Sequence, residues 1–183
     1  MKTLFVIDMQ EIYIGARVSL GYRASLLADV NKRIEQCLNR GELIVYIKNK
    51  KKVRSLLYTP EFAEGLLICS RHVFEKAEAS PFGDGKLSAF LRAKNVRLIE
   101  TIGLDGNCCV AATALDARKE GFDVLFPCAY IGVRNADRFA TKKEQLKKMG
   151  VHVIEPQEPI ELLEREEYTS ENTYSAHPTP FGG

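Results

Sequence analysis

The chain predicts an α/β protein of three layers, a mostly parallel six-stranded sheet with helices on both faces, and three observations carry that expectation. Short, continuous apolar runs such as TLFVI (3–7) and LIVYI (43–47) lack the alternation of a half-exposed strand and suit strands buried on both faces. Between the runs lie segments with apolar residues at helical spacing. The two kinds of segment alternate along the chain, which is the pattern of strand, crossover and parallel strand.

Taken in order, the strand at 3–7 ends in Asp8. Ligands of open α/β sheets bind outside the carboxyl ends of the strands, so a carboxylate there is a functional candidate, with a capping role as the plainer reading. Gln10 and Tyr13 follow and read either as pocket lining or as caps. Residues 23–40 place Leu26, Leu27, Val30, Ile34, Cys37 and Leu38 near a 3.6 period and stop before Gly41, an amphipathic helix with Cys37 on its apolar stripe. The strand 43–47 runs into the basic segment 48–54 (KNKKKVR), which reads as a solvated loop or as a guide for an anionic substrate. A short helix is expected within 60–67 and a short strand or extended loop over 69–74.

Lys76 closes that segment and on spacing alone would be an ordinary surface lysine. A turn over 77–85 contains Ser80, Pro81 and Phe82, and Phe82 joins Gln10 and Tyr13 as an expected substrate contact. A helix at 87–93 feeds the strand 96–102, and GLDGN then leads into an Ala-rich helix beginning at Cys108 or Cys109, with Asn107 as N-cap and Gly121 just beyond its end. The strand 122–126, a helix over 138–149 and the strand 151–154 complete the alternation. A terminal helix is expected at 158–166. Residues 168–183 are polar, aperiodic and punctuated by Pro and Gly, so the domain is placed at 1–167 with a C-terminal tail after it.

At 183 residues the chain can bury a core without disulfides or a structural metal. A net charge of +2 with 27% charged residues gives no general basis for binding nucleic acid or membranes. The N-terminus meets an acid at residue 8, too early for a secretory segment, and a cytoplasmic location is expected. Five cysteines at irregular spacing and three scattered histidines suggest neither a disulfide framework nor a metal site, and no cofactor is expected.

Asp8, Lys76 and Cys109 all stand at carboxyl ends of expected strands, and an acid, an amine and a thiol on one rim make a plausible nucleophilic site. The residues involved resemble the isochorismatase-like cysteine hydrolases, the superfamily of nicotinamidases and N-carbamoylsarcosine amidase. The likeness rests on VIDMQ at the first strand, FEK followed by SPF, and CVAATALDA at 109–117, spread over roughly residues 3 to 155 in the same order. The resemblance implies a Rossmann-like fold with Cys109 as nucleophile, Asp8 as acceptor of its proton and Lys76 as third member. Cys108 falls on a variable position, where it reads as a small packing residue or as a redox partner of Cys109.

It further implies an oxyanion hole made by the backbone N–H groups of Asp105 and Cys109, with a cis peptide between Leu104 and Asp105. The helix N-terminus and Lys76 would favour the thiolate. Nicotinamidases carry a D-x-H…H metal site after the second strand, where this chain has KNKKK, and Asn107 replaces an aspartate common in relatives. True isochorismatases tend to lack the cysteine. The implied function is a metal-independent hydrolase acting on a C–N bond of a small amide or carbamoyl substrate through a thioester. Ether hydrolysis of the isochorismate type and a catalytically silent binding or assembly protein are the alternatives. Relatives imply a homo-oligomer, a dimer or tetramer.

Overall fold

The structure is a computed structural model that describes residues 1–15, 21–50 and 61–158. Its centre is a six-stranded sheet of order β3-β2-β1-β4-β5-β6, with β1 Lys2–Ile7, β2 Leu43–Asn49, β3 Val73–Lys76, β4 Leu98–Gly103, β5 Asp123–Pro127 and β6 His152–Ile154. Every adjacent pair is parallel. The helices are α1 Glu11–Ile14, α2 Leu26–Asn39, α3 Lys86–Ala93, α4 Cys109–Lys119 and α5 Ala136–Lys148. Strand order reverses between β1 and β4, and that switch point is where a crevice opens in folds of this kind.

The apolar run of β1 divides by parity. Leu4 and Val6 pack with Val30, Ile34 and Cys37 of α2 on one face, while Phe5 and Ile7 pack with Leu87, Leu91, Val110, Ala111 and Ala114 from α3 and α4 on the other. Cys37 is thus a core residue, as its place on the helical stripe suggested. The small side chains of α4 let that helix lie close to the sheet. All five cysteines are free. No helix among the described residues is long and apolar enough to cross a membrane.

Several elements differ from the sequence reading. Residues 61–67 form turns and an isolated bridge between Phe62 and Gln10 instead of a helix; their apolar side chains are drawn to the α2 face. The extended segment contracts to β3 and takes in Lys76. Asn107 does not cap α4: Cys108 is the N-cap residue, and Asp105 accepts the Asn107 N–H through its side chain. Helix α1 went unforeseen because four residues carry no period. The expected helix at 158–166 and the tail 168–183 lie outside the described residues, apart from Glu158, as does most of the basic segment 48–54.

Two constraints hold the centre. Gly103 has φ +109, and a Cβ there would run into the Ile7 carbonyl oxygen, so only glycine lets β4 end this close to β1. Nearer the other end, Glu100 is fully buried with two cations: Arg33 grips both its oxygens at 2.6 and 2.7 Å, and Lys2 meets Oε2 at 2.7 Å. Burial alone would raise the Glu100 carboxyl, but the Arg33 hydrogen bonds and the charges of Lys2 and Arg33 outweigh it and hold the group below its ordinary 4.5.

A carboxyl with a lower pKa folded than unfolded adds stability above its unfolded pKa and loses it as pH falls through the folded one. Glu100→Gln leaves Arg33 and Lys2 without their anion, and the expected loss at neutral pH is about 3–5 kcal/mol. Urea melts of both proteins should show the gap narrowing in acid, once the wild-type carboxyl is itself protonated; a gap independent of pH would contradict the assignment.

Candidate active site

Three elements deliver three groups to one point. Asp8 follows β1 in the left-handed region at φ +52, a conformation Asp tolerates better than bulkier residues, and this turns the chain off the sheet. Lys76 is the last residue of β3, two strand positions from β1. At about 4.8 Å per strand its long stem is needed to span β2. Cys109 is the first residue of α4.

The Lys76 Nζ lies 2.8 Å from Asp8 Oδ2, 3.3 Å from Cys109 Sγ and 3.2 Å from the Glu78 carbonyl oxygen. An ammonium has three N–H groups, and each has an acceptor. Asp8 and Lys76 are only 2% and 3% exposed. The other carboxylate oxygen, Asp8 Oδ1, is buried without an aligned hydrogen-bond partner, yet carboxyl and thiol are close enough for each to shift the other's titration.

The direction of those shifts departs from the sequence expectation. Burial raises the Cys109 thiol above its ordinary value, the Asp8 charge raises it further, and Lys76 opposes them only in part. Asp8 is raised as well, by burial against the pull of Lys76. Two acids share one cation, so the second ionisation is opposed. With ordinary values of 9.0 for the thiol and 3.8 for the carboxyl, the proton rests on sulfur and the charge on Asp8. The sequence showed the helix start and the lysine but not how deeply the thiol lies beside a carboxylate.

Asp8 and Cys109 border a cleft of about 140 Å³, lined also by Tyr13, Tyr22, Leu104, Asp105, Cys108 and Arg134. The Leu104-Asp105 peptide is cis. No backbone hydrogen bond runs from the Asp105 or Cys109 N–H to any described residue. Around them the loop is well tied: Gly106 N–H donates to the Gly132 carbonyl at 2.9 Å, and Cys108 and Val110 N–H to the Asp105 carbonyl. Cys108 is exposed, its Sγ 4.0 Å from that of Cys109.

Two expected substrate contacts lie elsewhere. The Gln10 amide is fully buried and bonded both ways to the Asn49 backbone, at 2.8 and 3.2 Å, so it fastens the end of β2 and does not line the cleft. Phe82 sits in the core between Phe5 and Phe122, with ring centroids at 6.3 and 6.4 Å. Tyr13 does line the cleft, its hydroxyl held by the Asn49 amide at 3.2 Å. Tyr22 and Arg134 escaped the sequence reading. Their only signal was position, in loops leading into helices on the same rim.

At the end of β2 the described residues Lys48 and Asn49 offer an ammonium and an amide. The Lys48 Nζ lies over the Phe62 ring at 4.9 Å and the Asn49 side chain is engaged with Tyr13. Among the described residues no group of three or more His, Cys, Asp or Glu comes together. Neither an ammonium nor an engaged amide is a ligand of the His, Cys or carboxylate kind that zinc sites use.

The class the fold defines is a Rossmann-like, all-parallel α/β sheet, here with an acid, an amine and a thiol gathered at one rim. The chain belongs to the isochorismatase family: the model of the isochorismatase domain matches residues 2–158. Streptothricin hydrolase of Streptomyces noursei is 26% identical over 132 residues, 69% of this chain and 48% of that protein, so the chain spans about half the length of this curated relative. Among solved structures, an isochorismatase-like hydrolase of Alkaliphilus metalliredigens superposes with a TM-score of 0.74 at 18% identity, covering 92% of this chain and 94% of that one. The pyrazinamidase of Pyrococcus horikoshii, solved with zinc, gives 0.71 at 23% over 84% and 98%. N-carbamoylsarcosine amidase of Thermoplasma acidophilum gives 0.71 at 21% over 87% and 98%.

If the Asp8 charge keeps the thiol protonated, Asp8→Asn leaves Lys76 facing the sulfur alone and the thiol should titrate lower. The iodoacetamide rate at Cys109, followed against pH by peptide mass spectrometry, should then be at least about tenfold faster at neutral pH in the variant. An equal or slower rate would reverse the charge assignment.

Proposed function

We propose that this protein hydrolyses a C–N bond of a small amide or carbamoyl compound, with Cys109 as nucleophile and a thioester as intermediate. The observation that carries this reading is the convergence of Asp8, Lys76 and Cys109 within 3.3 Å of the Lys76 nitrogen. Asp8 takes the thiol proton as Sγ forms its bond to the carbonyl carbon. The carbonyl oxygen, gaining charge, receives the Asp105 and Cys109 N–H groups, and donors preset for an oxyanion lower such a barrier by an amount worth about 10²–10³ in rate per donor.

Collapse of the adduct expels the nitrogen, which takes the proton from Asp8 and departs as ammonia or an amine. Asp8 then removes a proton from water as the water attacks the thioester, and the thiol leaves and is reprotonated. Lys76 stays a cation throughout: it keeps Asp8 aimed with one N–H and stabilises negative charge on sulfur with another. A protonated resting thiol suits this sequence, since the nucleophile is formed only when substrate has displaced water from the cleft.

The amidase among the structural relatives supports C–N cleavage over ether cleavage, and so does the presence of the thiol at the helix start.

A screen of small amides with ammonia detection should find turnover that Cys109→Ala abolishes and that Asp8→Asn lowers by about 10²–10⁴. Acid-quenched mass spectrometry should show the acyl group on Cys109. Full activity in either variant, with circular dichroism unchanged, would exclude the mechanism.

A further inference from the structure

Asp105 combines two roles that oppose each other. In the proposed reaction its backbone N–H receives the carbonyl oxygen as that atom gains charge, yet its side chain is itself an anion a few bonds away. A carboxylate so near resists a second negative charge unless fixed partners offset its own. Asp105 is only 8% exposed, so water supplies little of that offset.

Among the described residues three donors reach the carboxylate. The Asn107 N–H donates to Oδ1 at 2.7 Å, while the Tyr22 hydroxyl and Arg134 Nε donate to Oδ2 at 3.0 and 3.3 Å. Their contributions differ. Asn107 belongs to the same loop as Asp105 and gives it no outside anchor. The Arg134 side chain is 53% exposed, and solvent screens its charge. Tyr22 comes from a separate segment and is partly buried. Burial and the Asp105 charge both raise the Tyr22 hydroxyl above its ordinary 10.0, so it stays a donor.

The position of Tyr22 is itself fixed. Its neighbour Arg23 donates from Nη1 to the Ile131 carbonyl at 2.9 Å, and from Nε and Nη2 to Asp29 Oδ2 at 3.1 and 3.0 Å. These bonds tie the segment before α2 to that helix and to the chain after β5. The Tyr22 ring packs among the apolar side chains of the α2 face. It passes so near Gly132 that a Cβ there would strike Leu104 and stand 3.0 Å from Tyr22 Cδ1.

We infer that Tyr22 is a positioning residue for the oxyanion site: its hydroxyl holds the Asp105 carboxylate in place and offsets its charge, which leaves the Asp105 backbone N–H a net-favourable donor to a developing oxyanion. The inference rests on the amide-hydrolase reading for the identity of the atom received, a carbonyl oxygen. Tyr22 touches no reacting atom in this role and acts through Asp105.

Two reactions of the same sulfur separate this role from a general effect on the site. In acetylation by p-nitrophenyl acetate, Sγ bonds to the carbonyl carbon, the thiol proton passes to Asp8, the oxygen gains charge, and p-nitrophenolate leaves. In alkylation by iodoacetamide, Sγ displaces iodide from a saturated carbon and no oxyanion forms. Release of p-nitrophenolate reads the first, with Cys109→Ala as background, and peptide mass spectrometry at Cys109 reads the second. Tyr22→Phe should slow acetylation by about 10–10²-fold, the value of a hydrogen bond to a charged group, and leave alkylation unchanged. In an Asp105→Asn background, which has no charge to offset, the same change should cost about twofold or less.

A loop that had merely loosened would expose the thiol and speed alkylation, and that result would overturn the inference. So would both rates falling together, an equal loss in the Asp105→Asn background, or wild-type acetylation no faster than that of Cys109→Ala. Tyr22-dependent acetylation without turnover of any amide in the screen would uphold the positioning role and count against amide hydrolysis. Amide turnover with Tyr22-independent acetylation would overturn the positioning role and leave the amide-hydrolase reading standing.

Discussion

The close approach of β4 to β1 at Gly103 is the constraint on which the site depends. With no side chain at Gly103 to strike the Ile7 carbonyl, the two strands end side by side. The chain then leaves β1 at Asp8 and β4 at Leu104 in adjacent positions on one rim. Gly132 N–H donates to the Gly103 carbonyl at 2.8 Å, which draws the loop carrying Arg134 to the same place. A side chain at 103 would push β4 outward and separate the carboxylate from the thiol, even though neither residue had changed.

Two buried ionic groups lie toward opposite ends of the same sheet, and their contrast indicates what each is for. Glu100 has a bidentate arginine and a lysine on its two oxygens, a saturated arrangement that holds one charge state. Asp8 has Lys76 on one oxygen only and leaves Oδ1 unpartnered beside a thiol. An unsatisfied buried acceptor costs about 1–3 kcal/mol. It is tolerable where an acceptor must be ready for a proton, and Asp8 Oδ1 is such an acceptor in the proposed reaction. Saturation stabilises; incomplete saturation leaves room for chemistry.

The sheet was legible in the sequence because strands buried on both faces must be continuously apolar, and β1, β2 and β5 are. Helix α4 was legible through its apolar register and the Gly121 that ends it, but its cap was misplaced: Asn107 looked the better residue, while the Asp105 carboxylate had already taken the Asn107 N–H. The rim was the least legible part. Gln10 and Phe82 have the right neighbours in sequence, yet their side chains point into β2 and the core. Tyr22 and Arg134 come from aperiodic loops that meet only because strand order reverses between β1 and β4. The thiol's raised titration is likewise a matter of depth and of a neighbour about a hundred positions away, which spacing does not encode.

The charges around the cleft close in pairs. Asp8 is matched by Lys76 and Asp105 by Arg134, so with the thiol protonated these described residues leave no net charge at the cleft. In the proposed reaction a neutral amide therefore meets no uncompensated field from these pairs, and the first negative charge to move is the one transferred from Asp8 to sulfur and then to the carbonyl oxygen. Every cation and N–H able to receive it is already fixed, by the Glu78 carbonyl on Lys76 and by the loop bonds around Asp105. Fixed donors in a space emptied of water act more strongly than mobile ones.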